Sequence, residues 1–167
     1  MREIHVTDIL MCRQFLAPVF IEAKAIMGQI AHENIYELPE FKECEKEYEI
    51  SVTLRDNVVL KGRIDIACLK THTLYEIKPY TSDRKKLKRY TLQLQLYGNM
   101  YNRLYGVVPS LYLVLYGEGI VKQWVWYTDV LRKLEPIIVD MARLMEIGTL
   151  YIRNPFCNVC LRRTACP

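Results

Sequence analysis

A chain of 167 residues, 51% of them hydrophobic, is long enough to bury one core and short for two domains of ordinary size. No run of about 18 uncharged apolar residues occurs. Residues 1–15 carry charges and a cysteine where a secretory leader has its apolar centre. The expectation is one domain over residues 1–167, in the cytoplasm, without a membrane span. The formal net charge of +4 suits a polyanionic partner without demanding one.

Residues 7–38 read as two helical segments broken near Pro18, with Thr7 or Asp8 able to cap the first, and Gly28 and His32 on the second. Residues 46–54 and 58–69 alternate apolar and polar side chains around Asp56 and Asn57, which predicts a hairpin. A third strand over 73–78 ends at Pro79, which cannot donate to a ladder. A loop then leads into the basic stretch Arg84, Lys85, Lys86, Lys88 and Arg89. Helical spacing runs from about residue 87 to 104, and Gly106 to Pro109 closes it. Two more strands, 110–116 and 120–127, flank Gly117-Glu118-Gly119, another hairpin signal. A last helix is predicted from residue 128 to about 147, kinked by Pro136 unless that proline opens a second helix. The tail from Arg153 is irregular and cysteine-rich. This order describes an α/β (α+β) fold: one mixed sheet flanked by helices.

The chemistry-bearing residues fall in order along those elements. Asp65 lies in Gly62-Arg63-Ile64-Asp65 on the second hairpin strand, and Glu76-Ile77-Lys78 lies on the next strand. Residues two apart in a strand share a face, so Glu76 and Lys78 project together while Ile77 packs behind. Carboxylates on adjacent strands can share a hard divalent cation, and a lysine beside it can position or deprotonate a water. Taken alone, such a trio is a solvated face with one ion pair. His32 on the preceding helix could bring an imidazole to the same cation. Gln93 and Tyr97, four apart on one helical face, could address a phosphate or a base. Taken singly these too are ordinary helix residues, and the basic run an ordinary solvated one.

Six cysteines in an intracellular chain point to metal or redox chemistry more often than to a disulfide framework. Cys157, Cys160 and Cys166 crowd the tail and Cys12 lies near the start, while Cys44 and Cys68 read as buried small apolar residues. Four thiolates suit structural zinc or an iron-sulfur cluster equally well, and a pair of disulfides is the remaining reading.

The ordered set Gly28-x-x-x-His32, Gly62-Arg63-Ile64-Asp65, Glu76-Ile77-Lys78 and Gln93-x-x-x-Tyr97 resembles that of RecB-family nucleases in the PD-(D/E)XK superfamily. With Cys12 before it and Cys157, Cys160 and Cys166 after it, the chain is similar to the iron-sulfur members, the CRISPR-associated RecB-like exonucleases and their viral and stand-alone relatives. The resemblance implies a restriction-endonuclease-like core whose N- and C-terminal segments are joined by an iron-sulfur cluster, 4Fe-4S ahead of 2Fe-2S, with zinc as the alternative. It implies that His32, Asp65, Glu76 and the Ile77 carbonyl hold magnesium or manganese and that Lys78 serves the attacking water. Gln93 and Tyr97, with Arg84, Lys85 and Lys88 nearby, would contact DNA, mainly single-stranded. The implied activity is a metal-dependent DNA exonuclease, with CRISPR adaptation or recombination proteins as candidate partners. Two other readings stand beside it: a catalytically silent DNA-end-binding subunit, and a zinc-stabilised interaction protein.

Overall fold

The computed structural model describes the backbone of residues 2–10 and 21–146, and the side chains of residues 2–10 and 26–146. In chain order the elements are β1 (Arg2–His5), α1 (Val6–Leu10), α2 (Ile21–Tyr36), β2 (Glu45–Thr53), β3 (Val58–Cys68), β4 (Thr73–Pro79), α3 (Arg84–Tyr105), β5 (Ser110–Tyr116), β6 (Ile120–Val125) and α4 (Leu131–Glu146). The six strands form one mixed sheet, as the alternation of strand and helix patterns predicts.

Local chemistry accounts for most of these boundaries. Asp56 and Asn57 both take positive φ, 56° and 57°, a conformation these short polar side chains tolerate, and this turns β2 into β3. The helix predicted from residue 87 begins earlier, at Arg84, because the Asp83 carboxylate accepts the Lys85 N–H at 2.8 Å and caps it. Gly106, at φ 70°, ends α3 with its N–H on the Asn102 carbonyl. The final helix is assigned continuously through Pro136. Strand β1 is the element that periodicity misses: four residues with one buried side chain, Ile4, give no pattern to read. The first helix follows at Val6, where Asp8 reaches back to accept the His5 N–H at 3.0 Å. The predicted break near Pro18 lies outside the described residues.

The sheet forks along β3. Strand β2 runs antiparallel along one edge of β3, from Glu45 opposite Ala67 to Thr53 opposite Val59. The other edge is shared: β1 pairs parallel with Val58 to Lys61, and β4 pairs antiparallel with Ile66 to Cys68 alone. Beyond Tyr75, β4 leaves β3 and continues parallel to β5, Glu76 opposite Leu113 and Lys78 opposite Leu115. Residues 62–65 of β3 therefore face a gap between the end of β1 and the departing β4.

One face of the sheet carries the larger core, in which Ile9 of α1, Leu94 and Met100 of α3, and Ile138 and Met141 of α4 pack against Leu60, Leu74 and Leu113. The opposite face holds a smaller core of Ile35 from α2, Phe41, Ile66, Ile77 and Val114. Cys44 and Cys68 border that smaller core, and here the expectation of two buried apolar thiols fails. They are half-buried and disulfide-bonded, with Cα atoms 4.3 Å apart. The cause is the β2/β3 register, which sets Glu45 opposite Ala67 and so brings the next residue on each strand face to face.

Candidate active site

The gap in the sheet is where the predicted carboxylates meet. With no strand paired to residue 65 on the forked edge, the Asp65 carboxylate takes over the ladder's role there and accepts the Ile77 N–H at 2.7 Å, tying β3 to β4 across the fork. Glu76 and Lys78 project together as their spacing predicts, with Lys78 Nζ 2.5 Å from Glu76 Oε1. The Lys78 ammonium also lies 5.9 Å from the Tyr90 ring centroid. Glu76 is 1% exposed and Asp65 8%. Among the described residues Glu76 Oε2 has no hydrogen-bond partner, a costly state for a buried carboxylate oxygen. The cleft above them, about 790 Å³, is lined by His5, Thr7, Glu49, Ser51, Lys61, Arg63, Gln93 and Tyr97 among others.

Helix α2 brings His32 to the same place, with Nδ1 3.8 Å from Asp65 Oδ1 and 4.0 Å from Glu47 Oε1. Atoms of His32, Glu47 and Asp65 lie within 4.8 Å of one another, a grouping that a divalent cation could occupy. Glu47 is the residue that sequence reasoning missed. It stands between Lys46 and Tyr48, which pair with Ile66 and Ile64, so it falls across from Asp65. Its φ is 51°, left-handed for a non-glycine residue in the middle of a strand pair. Tyr36 donates its hydroxyl to Glu47 Oε1 at 2.6 Å, and Arg63 Nε forms an ion pair with Oε2 at 2.6 Å. The signal was available: numbering the predicted hairpin outward from its turn sets Glu47 against Asp65.

Burial dominates the electrostatics. It pushes the Glu76 carboxyl up to about 8, with Lys78 opposing and the Asp65 charge adding to the rise. Asp65 is likewise raised by burial, against the pull of Lys78 and His32. Burial works against the Lys78 charge too, yet Glu76 and Asp65 outweigh it and hold the ammonium well above the usual lysine range. Lys78 in this arrangement is a hydrogen-bond donor and a positive charge, and has no lone pair with which to accept a proton. A cation reaching the cleft meets the buried carboxylates of Asp65 and Glu76, the latter with its orphaned oxygen, and His32 stands behind Asp65 Oδ1 at 3.8 Å, a donor set that a divalent cation could use.

On the larger-core side, α3 presents Gln93 and Tyr97, with Gln93 Nε2 donating to the Tyr97 hydroxyl at 3.1 Å. Tyr97 is 2% exposed and lies against Gly62. A Cβ added at Gly62 would sit 2.5 Å from Tyr97 Cε1, so glycine is required for this ring to reach the cleft. Burial raises the Tyr97 hydroxyl above its ordinary value, so it stays protonated. Arg84, Lys85 and Lys88 are exposed in the first turns of α3 and do not line the cleft. The predicted cluster ligands Cys12, Cys157, Cys160 and Cys166 lie outside the described residues.

No family model matches this sequence, and no curated protein matches it. The chain is similar in fold to the crystal structure of SSO0001, at 24% identity and a TM-score of 0.65, over 100% of this chain and 86% of that one. The crystal structure of a putative exonuclease from Eubacterium rectale is a more distant neighbour, at 13% identity and a TM-score of 0.46, over 96% of this chain and 65% of that one. These likenesses concern the arrangement of the chain. Among the described residues no helix is long and apolar enough to cross a membrane.

Proposed function

We propose that this chain is a divalent-metal-dependent deoxyribonuclease that hydrolyses phosphodiester bonds, acting on single-stranded DNA from an end. The observation that carries the reading is the orphaned Glu76 oxygen, buried beside Lys78 where the sheet forks, in a cleft it shares with Asp65, whose other neighbour is His32. His32, Asp65 and Glu76, with the Ile77 carbonyl, would hold the cation. Bound there, magnesium or manganese supplies Lewis acidity to a phosphoryl oxygen and lowers the pKa of a bound water.

The chain's own residues do the rest. Lys78, held protonated by Glu76 and Asp65, donates to the attacking water or to a phosphate oxygen and stabilises the charge that develops there. Asp65 is oriented by the Ile77 N–H, so one carboxylate oxygen stays turned toward His32. Gln93 and Tyr97 offer polar groups to the strand at the cleft wall. Arg84, Lys85 and Lys86 occupy the first turn of α3, where the helix dipole disfavours cations, and a polyanion running past that end would offset the cost.

The cysteines extend the same reading. Cys12, Cys157, Cys160 and Cys166 would hold an iron-sulfur cluster that joins the two ends of the chain and contributes to its folding. The nuclease proposal is tested by incubating anaerobically purified protein with end-labelled single-stranded DNA and manganese, beside Lys78→Ala. The wild type cuts and the variant binds without cutting. Equal cutting by both removes Lys78 from the chemistry and with it this assignment of the site.

A further inference from the structure

Glu47 has no place in the motif order that suggests the nuclease, yet its carboxylate reaches the same centre. The separations from His32 Nδ1 are 3.8 Å to Asp65 Oδ1 and 4.0 Å to Glu47 Oε1, and each of the three residues offers a ligand atom within 4.8 Å of the others. Three atoms so spaced share a point roughly 2.1–2.5 Å from each, which spans the ligand distances of magnesium and calcium. Metal-free, that centre gathers the negative charge of two carboxylates around an imidazole, and Glu47 also acts on the buried Glu76. A second observation lies beside it: Glu76, which lines the same cleft as Asp65, has a buried Oε2 without a hydrogen-bond partner among the described residues. Glu47 is further held as an inner ligand needs to be, by Tyr36 on the oxygen that faces His32 and by Arg63 on the other.

We propose that Glu47 is a direct ligand of the site's divalent cation, sharing it with His32 and Asp65. The proposal rests on the nuclease reading only for the presence of that cation. It makes β2 part of the metal site, so that the cation is gripped by α2, β2 and β3 together, beside the exposed Arg63 that pairs with Glu47. Glu47 is 39% exposed at its side chain, so cation and solvent reach it without rearrangement of the core.

The test is manganese binding by the full-length protein, measured by isothermal titration for the wild type and for Glu47→Gln, with circular dichroism to confirm folding. Loss of a direct ligand is expected to weaken manganese binding by about 100-fold, the upper end of what removing an outer partner does. Glu47→Cys separates a ligand from a positioning residue, because a thiolate prefers soft ions. This variant is expected to bind cadmium with one thiolate-to-metal absorption more than the wild type, which carries the same native cysteines. Unchanged manganese affinity in Glu47→Gln, or no added cadmium-thiolate absorption in Glu47→Cys, overturns the role of Glu47 while leaving the nuclease reading in place. A wild type that takes up no manganese overturns both.

Discussion

Replacing Gly62 by alanine tests how the cleft wall is built. The position is not among those with positive φ, so alanine meets no backbone penalty there. In a strand, exchanging glycine for alanine would by itself stabilise by roughly 0.5–1 kcal/mol. Against this, the new methyl would lie 2.5 Å from Tyr97 Cε1, 3.0 Å from Tyr97 Cδ1 and 3.4 Å from Val6 Cγ2. Tyr97 is buried and its hydroxyl is engaged by Gln93, so the ring has little room to yield. Overpacking of this kind costs roughly 1–3 kcal/mol. Taking the middle of each range leaves a net loss of roughly 1 kcal/mol, or about 2–4 °C in Tm for a protein of this size. Urea denaturation of Gly62→Ala, alone and in a Tyr97→Ala background, measures it. In the second background the ring is gone, and Gly62→Ala should become neutral or stabilising. A Gly62→Ala protein as stable as the wild type, or an equal cost in both backgrounds, would refute the reasoning.

Three further outcomes follow from the same geometry. Glu135, 7% exposed, accepts the Arg55 N–H and the Arg103 guanidinium, each at 3.0 Å, so Glu135→Ala should lose roughly 1–3 kcal/mol in urea denaturation. A change within about 0.5 kcal/mol would show the network to be dispensable. The Cys44–Cys68 bond closes 24 residues of chain, and Cys68→Ser should cost roughly 2–4 kcal/mol; an unaltered unfolding midpoint under non-reducing conditions contradicts it. Glu76 rises from 4.5 to about 8 on folding. A raised acid contributes stability that is fully present below the unfolded value and is lost as pH climbs through the folded one. In EDTA, thermal melts should therefore fall between pH 5 and about 8 more steeply for the wild type than for Glu76→Gln. Superimposable pH profiles would mean that Glu76 burial does not govern stability in that window.

Much of the architecture was legible because it rests on local signals. The β2/β3 hairpin, strand β4, helix α3 and the β5/β6 hairpin follow from alternation, helical spacing and turn residues such as Asp56, Asn57 and Gly106. The same alternation put Glu76 and Lys78 on one face, where they make their ion pair. What could not be read depends on contacts between distant segments. Strand β1 exists because Ile4 docks beside Leu60, a pairing that four residues do not announce. The Cys44–Cys68 bond and the placement of Glu47 were missed for another reason: both follow from a strand register that periodicity leaves open but that counting outward from the turn supplies. The fork itself, which turns Asp65 toward the Ile77 N–H, is a property of β4 leaving one neighbour for another.

The nuclease account is tested most directly by following end-labelled single-stranded DNA with wild-type protein and Asp65→Asn, each with manganese and with EDTA. The account predicts stepwise shortening by the wild type in manganese alone, and none by Asp65→Asn in either condition. Cutting that persists in EDTA, or that survives in Asp65→Asn, would contradict it.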